Sequence, residues 1–178
     1  SLRDALVAAS TLNTFNNHAD RVRMANLAQT VNVLQALILT DKEKMLLTPT
    51  YHVFDLYKVH QDATLIPLMV NTRDYVQGTE KLPALNASAS RDKSGNIHIT
   101  IVNIDPTNAI DLPVELAGVD NMNITGQIIT SEKFTDHNTF EKPGVIVPKP
   151  FSGVRKTKAG LDVKIPSKSL VLLTLAAK

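Results

Sequence analysis

The spacing of apolar positions along this chain changes near Asp62, and the change divides it into two parts. Before that point Leu2, Ala5, Leu6, Ala9, Leu12 and Phe15 recur every three or four residues, laying one apolar stripe along a helix. Asn16, Asn17 and His18 mark its expected fraying end. Residues 22–28 have the length of a short strand, although Arg23 and Asn26 make it polar for a packed one. Residues 31–39 fit either a helix or a buried strand, and periodicity does not decide between them. Thr48-Pro49 opens a second helix over 49–60. Its threonine hydroxyl can accept from first-turn amides, and proline stands where a missing N–H costs nothing. Val53, Phe54 and Tyr57 should turn inward, with Leu56 at the edge and His52, Asp55 and Lys58 toward solvent.

Beyond Asp62 the period becomes two. Strands are predicted over 65–70, 84–91, 97–104, 110–116, 123–130, 160–165 and 169–175. Alternation is clearest where Ile97, Ile99 and Ile101 interleave with His98, Thr100 and Val102. Ser94-Gly95-Asn96 reads as the hairpin turn before that strand, and Asp105-Pro106-Thr107-Asn108 breaks the ladder after it. Short strands separated by turn signals predict an antiparallel β-sandwich. Residues 135–154, with Pro143, Pro148 and Pro150, read as a long loop crossing its edge. The expected architecture is mainly β: a sandwich over 65–178, preceded over 1–64 by a helix, a strand and a helix that look like the last elements of a barrel. In a barrel, polar residues near the carboxyl end of a strand face the active-site mouth.

Composition narrows the function. With 178 residues the chain can bury a core, and 43% hydrophobic with 20% charged residues is ordinary for a globular protein. A net charge of +2 without a basic run gives no footprint for nucleic acid. The longest apolar run, 31–40, is interrupted by Asn32 and Gln35 and is too short to span a bilayer, so no membrane partner is expected. The absence of cysteine excludes disulfides and thiolate chemistry. Compartment stays open between cytoplasm and periplasm. Arg3 and Asp4 argue against a signal peptide, and a start without Met inside a helix suggests a processed or truncated chain.

Candidate chemistry is sparse. His18, Asp20 and Arg21 lack metal-ligand spacing and suit a helix terminus. His52 and His60 lie two turns apart without a third ligand, so no metal is expected. Asp62 is expected to hold the chain as it leaves the helix. No phosphate loop and no Gly-x-Ser-x-Gly occurs. Glu80, Glu115, Glu132 and Glu141 sit in polar surroundings and read as surface charge, so no catalytic residue is assigned. Phe134, Phe140 and Phe151 flank the long loop as a small apolar cap. The absence of Trp and an aromatic content of 4% favour packing against a neighbouring domain over sugar stacking. Gln29, at the expected carboxyl end of the 22–28 strand, carries an amide that can both donate to and accept from a sugar hydroxyl. On the residues alone, an equal alternative is that Gln29 or Asn32 satisfies loop backbone.

DRVRMANLAQTVNVL at 20–34 and TPTYHVFDLY at 48–57, with DALVAA at 4–9, resemble the α-L-arabinofuranosidases of glycoside hydrolase family 51. These runs cover roughly the first third, and the remainder agrees only in being a C-terminal β domain. The resemblance implies a (β/α)8 barrel whose last strand and helix lie in 1–64, packed against the sandwich of 65–178. It implies release of terminal arabinofuranosyl groups from L-arabinose-containing oligosaccharides of arabinan and arabinoxylan, with retention. Two glutamates about 5–5.5 Å apart would perform it, both on earlier barrel strands with no counterpart here. It also implies that Gln29 contacts bound arabinose, that no cofactor is needed, and that the partners are the catalytic barrel portion and further copies in a homo-oligomer. The chain alone should be inactive, with helices packed irregularly for want of barrel neighbours. The alternative is a stand-alone carbohydrate-binding or structural β-sandwich module.

Overall fold

The period-two segments become strands, and most of them enter one antiparallel sheet of six. The structure is a computed structural model that describes residues 1–28, 30–116 and 122–177. In chain order it contains helix α1 (Leu2–Asn17), hairpin β1 (Ile38–Asp41) and β2 (Lys44–Leu47), and helix α2 (Pro49–Tyr57) with a closing 3-10 turn (Lys58–His60). Then come β3 (Thr64–Ile66), hairpin β4 (Asp74–Gln77) and β5 (Glu80–Pro83), β6 (Leu85–Arg91), β7 (Ile97–Asn103), β8 (Ile110–Glu115) and β9 (Met122–Thr130). Short strands β10 (Lys149–Pro150) and β11 (Val154–Lys156) precede β12 (Gly160–Ile165) and β13 (Ser169–Ala177). The large sheet runs β10-β9-β13-β7-β6-β3 and faces a three-stranded sheet, β11-β12-β8.

Alternation sorts the side chains of the large sheet onto two faces. Ile97, Ile99 and Ile101 of β7, Val171, Leu173 and Leu175 of β13, and Leu85, Ala87 and Ala89 of β6 point one way. There they meet Leu161, Val163 and Ile165 of β12 and Ile110, Leu112 and Val114 of β8. This is the sandwich core. The opposite face is also buried. Val102, Ile129, Leu170 and Leu172 pack under Leu2, Ala5, Leu6, Ala9 and Leu12 of α1 and Val53, Leu56 and Tyr57 of α2. Every residue of β7 is therefore buried, including His98 and Thr100, which alternation alone would send to solvent.

The polar residues on that second face are satisfied by the helices. The buried Asn13 carboxamide oxygen accepts from the hydroxyls of Ser88 at 2.8 Å, Thr100 at 2.7 Å and Tyr57 at 2.7 Å. Its amide donates to the Asn86 carbonyl at 3.2 Å. His60 Nδ1 meets Ser90 Oγ at 2.7 Å, and its Nε2 meets Thr100 Oγ1 at 3.2 Å. Asn16 and Asn17 do not fray: they donate to Ser88 Oγ and the Ala87 carbonyl across β6. Burial drives the Tyr57 phenol strongly upward, so it stays a protonated donor.

Several sequence expectations change here. Residues 22–28 are not a strand: among the described residues no strand pairs with them, and Ala28 lies at a bend. Residues 31–39 are neither helix nor one buried strand: 31–37 form a loop, and Ile38 and Leu39 open the partly buried β1 of hairpin β1–β2. Leu56 is buried in α2 while Phe54 is only partly covered. The helices pack regularly rather than irregularly, since the sheet itself supplies their neighbour. The long loop contributes β10 at its end and covers the start of α1. The Phe134 and Asp136 carbonyls accept from Arg3 and Leu2 amides at 3.0 and 2.9 Å. Asn138 donates to the Leu47 and Ile146 carbonyls, both at 3.0 Å, and accepts from the Ile146 amide at 2.7 Å.

Three outcomes follow for stability. Asn13→Leu strands buried hydroxyl donors and should cost about 2–4 kcal/mol in urea unfolding, and a loss under about 1 kcal/mol would contradict the network. Gly160 has φ +146, and a Cβ there would lie 2.1 Å from the Val114 carbonyl oxygen. Gly160→Ala should therefore cost more than about 2 kcal/mol, read in the same titration. Burial first, and the facing His98 second, hold the His60 imidazole down from 6.5 to about 4. Between those values the unfolded chain binds a proton that the folded chain refuses. Stability through this group is complete above 6.5 and should fall by up to about 3 kcal/mol toward pH 4. His60→Gln should flatten that slope, and an unchanged slope would exclude His60 as its source.

Candidate functional site

The chain leaves α1 at His18, whose carbonyl accepts from the Arg21 and Val22 amides at 3.0 and 2.8 Å and turns it back along the helix layer. Along the residues that follow, Val22, Ala25 and Leu27 are partly covered while Arg23, Met24 and Asn26 are exposed. Asn26 and Leu27 border a cavity of about 310 Å³ with Asp4, Thr11, Gln35 and Phe54. On the other side Arg23 and Met24 border a second one of about 750 Å³ that reaches His60 and Asp62. Gln29, the predicted sugar contact, lies outside the described residues. Its neighbours Ala28 and Thr30 are both exposed.

After position 29 the loop is closed by hydrogen bonds. The Thr30 carbonyl accepts from the Leu37 and Ile38 amides at 3.1 and 3.0 Å, and the Asn32 amide donates to the Ile38 carbonyl at 3.1 Å. Asn32 has φ +55, a conformation that asparagine tolerates better than most residues. Its carboxamide accepts from the Thr40 amide and donates to Thr40 Oγ1, both at 2.7 Å. Farther on, the Thr48 amide donates to the Leu37 carbonyl at 3.0 Å and its hydroxyl to the Ala36 carbonyl at 2.9 Å. The same hydroxyl oxygen accepts from the Tyr51 amide at 3.3 Å, so the N-cap read from Thr48-Pro49 forms and also anchors this loop.

No described carboxyl is prepared as a general acid. Burial opposes ionisation at Asp4 and Asp105, but hydrogen-bond donors outweigh it and hold both below the usual range. Donors from Asn96 lower Asp92 to about 2, a donor from Ser131 lowers Asp136, and backbone donation lowers Glu141. Glu80, Glu115, Glu132 and Glu141 are exposed, as the sequence predicts. The histidines do not converge: His52 stands edge-on to Tyr51 with ring centroids 5.5 Å apart, while His60 is turned into the sheet. Asp62 is exposed and pairs with Lys93 at 3.6 Å.

The three phenylalanines do not form one cap. Phe134 packs on the helix-side core and Phe151 on the sandwich core, where Gly126 leaves room for it. The residues that matter most for placing the loop, Asn13, Thr40 and Asn138, were not singled out by motif. A usable signal existed for Asn13, which continues the α1 stripe as a polar residue four after Ala9.

A family model described as the α-L-arabinofuranosidase C-terminal domain matches residues 1–169. An intracellular exo-α-L-arabinofuranosidase of Bacteroides ovatus is 44% identical over 176 residues, spanning 98% of this chain and 34% of that protein. The crystal structure of the family 51 arabinofuranosidase from Xanthomonas axonopodis pv. citri matches with a TM-score of 0.94 and 45% identity, over 98% of this chain and 36% of that one. An arabinose complex of the Thermotoga maritima α-L-arabinofuranosidase matches with a TM-score of 0.83 at 23% identity, covering 98% and 38%, which shows a shared fold. The chain thus spans about a third of the length of these relatives. With the family model running over nearly all of it, this chain belongs to the C-terminal domain family of the α-L-arabinofuranosidases of glycoside hydrolase family 51.

Proposed function

We propose that this chain is the carboxyl-terminal part of a retaining exo-acting α-L-arabinofuranosidase that releases terminal α-L-arabinofuranosyl groups from arabinan and arabinoxylan oligosaccharides. Residues 1–64 are its closing barrel elements and 65–178 the sandwich that braces them. The carrying observation is the overlap of almost the whole chain with only a third of a family 51 enzyme. Residues 22–28 support it, since they pair with no described strand and expose Met24. Val31 and Leu34, 45% and 92% exposed, extend the uncovered apolar surface that neighbouring barrel elements would cover.

In this reading the amide of Gln29 contacts the arabinose. One glutamate attacks the anomeric carbon and a second protonates the departing oxygen, then activates water to release the sugar. Both belong to the part of the enzyme outside this sequence. The complete enzyme assembles as a homo-oligomer and needs no cofactor. An independent sugar-binding module draws less support, because Phe134 and Phe151 are packed on cores and offer no flat stacking surface.

The test compares the purified chain with the complete enzyme on a chromogenic α-L-arabinofuranoside. The complete enzyme should release arabinose and the chain should match a blank. Turnover by the chain itself, or none by the complete enzyme, would overturn the assignment.

A further inference from the structure

We infer that the outer face of α1, with the apolar residues beside it, is a preformed docking face that holds the preceding part of the same enzyme even without a peptide bond at Ser1. The inference rests on the reading under Proposed function that this chain is the carboxyl-terminal part of a longer enzyme. The two helices differ in what they turn away from the sheet. Helix α2 carries the ion pair Lys58–Asp55, the mark of a wet face. Helix α1 carries nothing of the kind. No charged residue occurs over 5–17, nor at 24–28 or 30–40, although charged residues make up 20% of the chain. A helix with one side on a core and the other in water normally has charge on the wet side, whereas loss of charge marks the centre of an interface.

Val7, Thr11 and Phe15 follow one another at four-residue spacing along that outer face, and all three are exposed, Val7 by 62%. The hydroxyls there turn back onto their own helix. Thr11 donates to the Val7 carbonyl at 2.9 Å and Thr14 to the Ser10 carbonyl at 3.0 Å, which leaves methyl groups facing out. The stripe lines the cavity of about 310 Å³ together with Leu27 and Phe54. Met24 and Leu34, each within two residues of a position lining that cavity, are strongly exposed. Apolar surface of this kind marks a site of association.

The occupant follows from chain order. The family model is that of a C-terminal domain and the chain spans about a third of its relatives, so the bulk of such an enzyme precedes Ser1. Ser1 is the N-cap of α1, so that preceding chain arrives at the end of the stripe itself, at a far higher effective concentration than a second copy. The face is also in place before anything binds it, because α1 is fixed from behind. Asn13 joins it to β6, β7 and α2, Asn16 and Asn17 grip β6, and the Phe134 and Asp136 carbonyls hold its first turn. A surface that needs no ordering loses little conformational entropy on binding, which permits association between separate pieces.

The test uses the complete enzyme with a protease site placed directly before Ser1. After cutting, the two pieces should still co-elute on size exclusion at about 1 μM. Val7→Asp and Leu34→Asp would each put an unpaired charge into the contact, and should raise the concentration at which the cut pieces separate by at least about ten-fold. In the 178-residue chain alone neither substitution should move the melting temperature, because both side chains then stand in water. Separation of the unsubstituted pieces on cutting, or equal persistence with and without the substitutions, would overturn the docking face. So would a lower melting temperature of the chain alone in both variants, which would tie these residues to its own fold. Self-association of the chain alone, abolished by Val7→Asp, would give the face to a second copy and overturn the assignment of its occupant. Failure of the complete enzyme, without the inserted site, to release arabinose would instead overturn the functional reading beneath it.

Discussion

A sheet covered on both faces must present two compatible surfaces, and here the second is held by one carboxamide. Apolar contact between helix and sheet is non-directional and by itself fixes their mutual placement only through shape. Hydrogen bonds are less forgiving. The Asn13 oxygen collects three hydroxyls from β6, β7 and α2, and only one placement of α1 brings it within reach of all of them. His60 completes the arrangement from the end of α2 with one nitrogen on each of two strands. Helix layer and sandwich thereby become one body with a defined angle between them.

That angle also sets the loop over 30–37, which takes its position from α2. Thr48 serves two tasks at once, capping the helix and gripping the loop carbonyls, so the loop cannot be placed independently of the helix. Asn138 adds a second restraint by holding the Leu47 carbonyl at the end of β2. The sandwich thus acts as a foundation from which the loop before hairpin β1–β2 is oriented.

Legibility from sequence followed the strength of the physical signal. The strand over 160–165 and the α1 stripe were plain, since each has one apolar period and one environment. Hairpin β4–β5 was missed because its residues are nearly all exposed and carry no apolar alternation. Hairpin β1–β2 was missed because its turn uses Lys42 at φ +54 rather than Gly or Asn. His98 and Thr100 show the deeper limit: a polar face covered by a second layer looks in sequence like a wet face. Nothing in a window of ten residues reveals that Asn13 waits for Thr100. The resemblance in 20–34 identified the enzyme family, yet residues 22–28 within it have no strand partner among those described.

The connectivity of the large sheet also constrains how the molecule is made. Strand β13 lies between β7 and β9, pairing with both along Ser169–Leu175, although it comes last of the strands in sequence. A nascent chain at the ribosome cannot close this sheet until those residues emerge, and α1 meanwhile lacks the carbonyls of Phe134 and Asp136. Helix α1 therefore gains its full sheet surface only once β13 has emerged, with exposed strand edges in the interval.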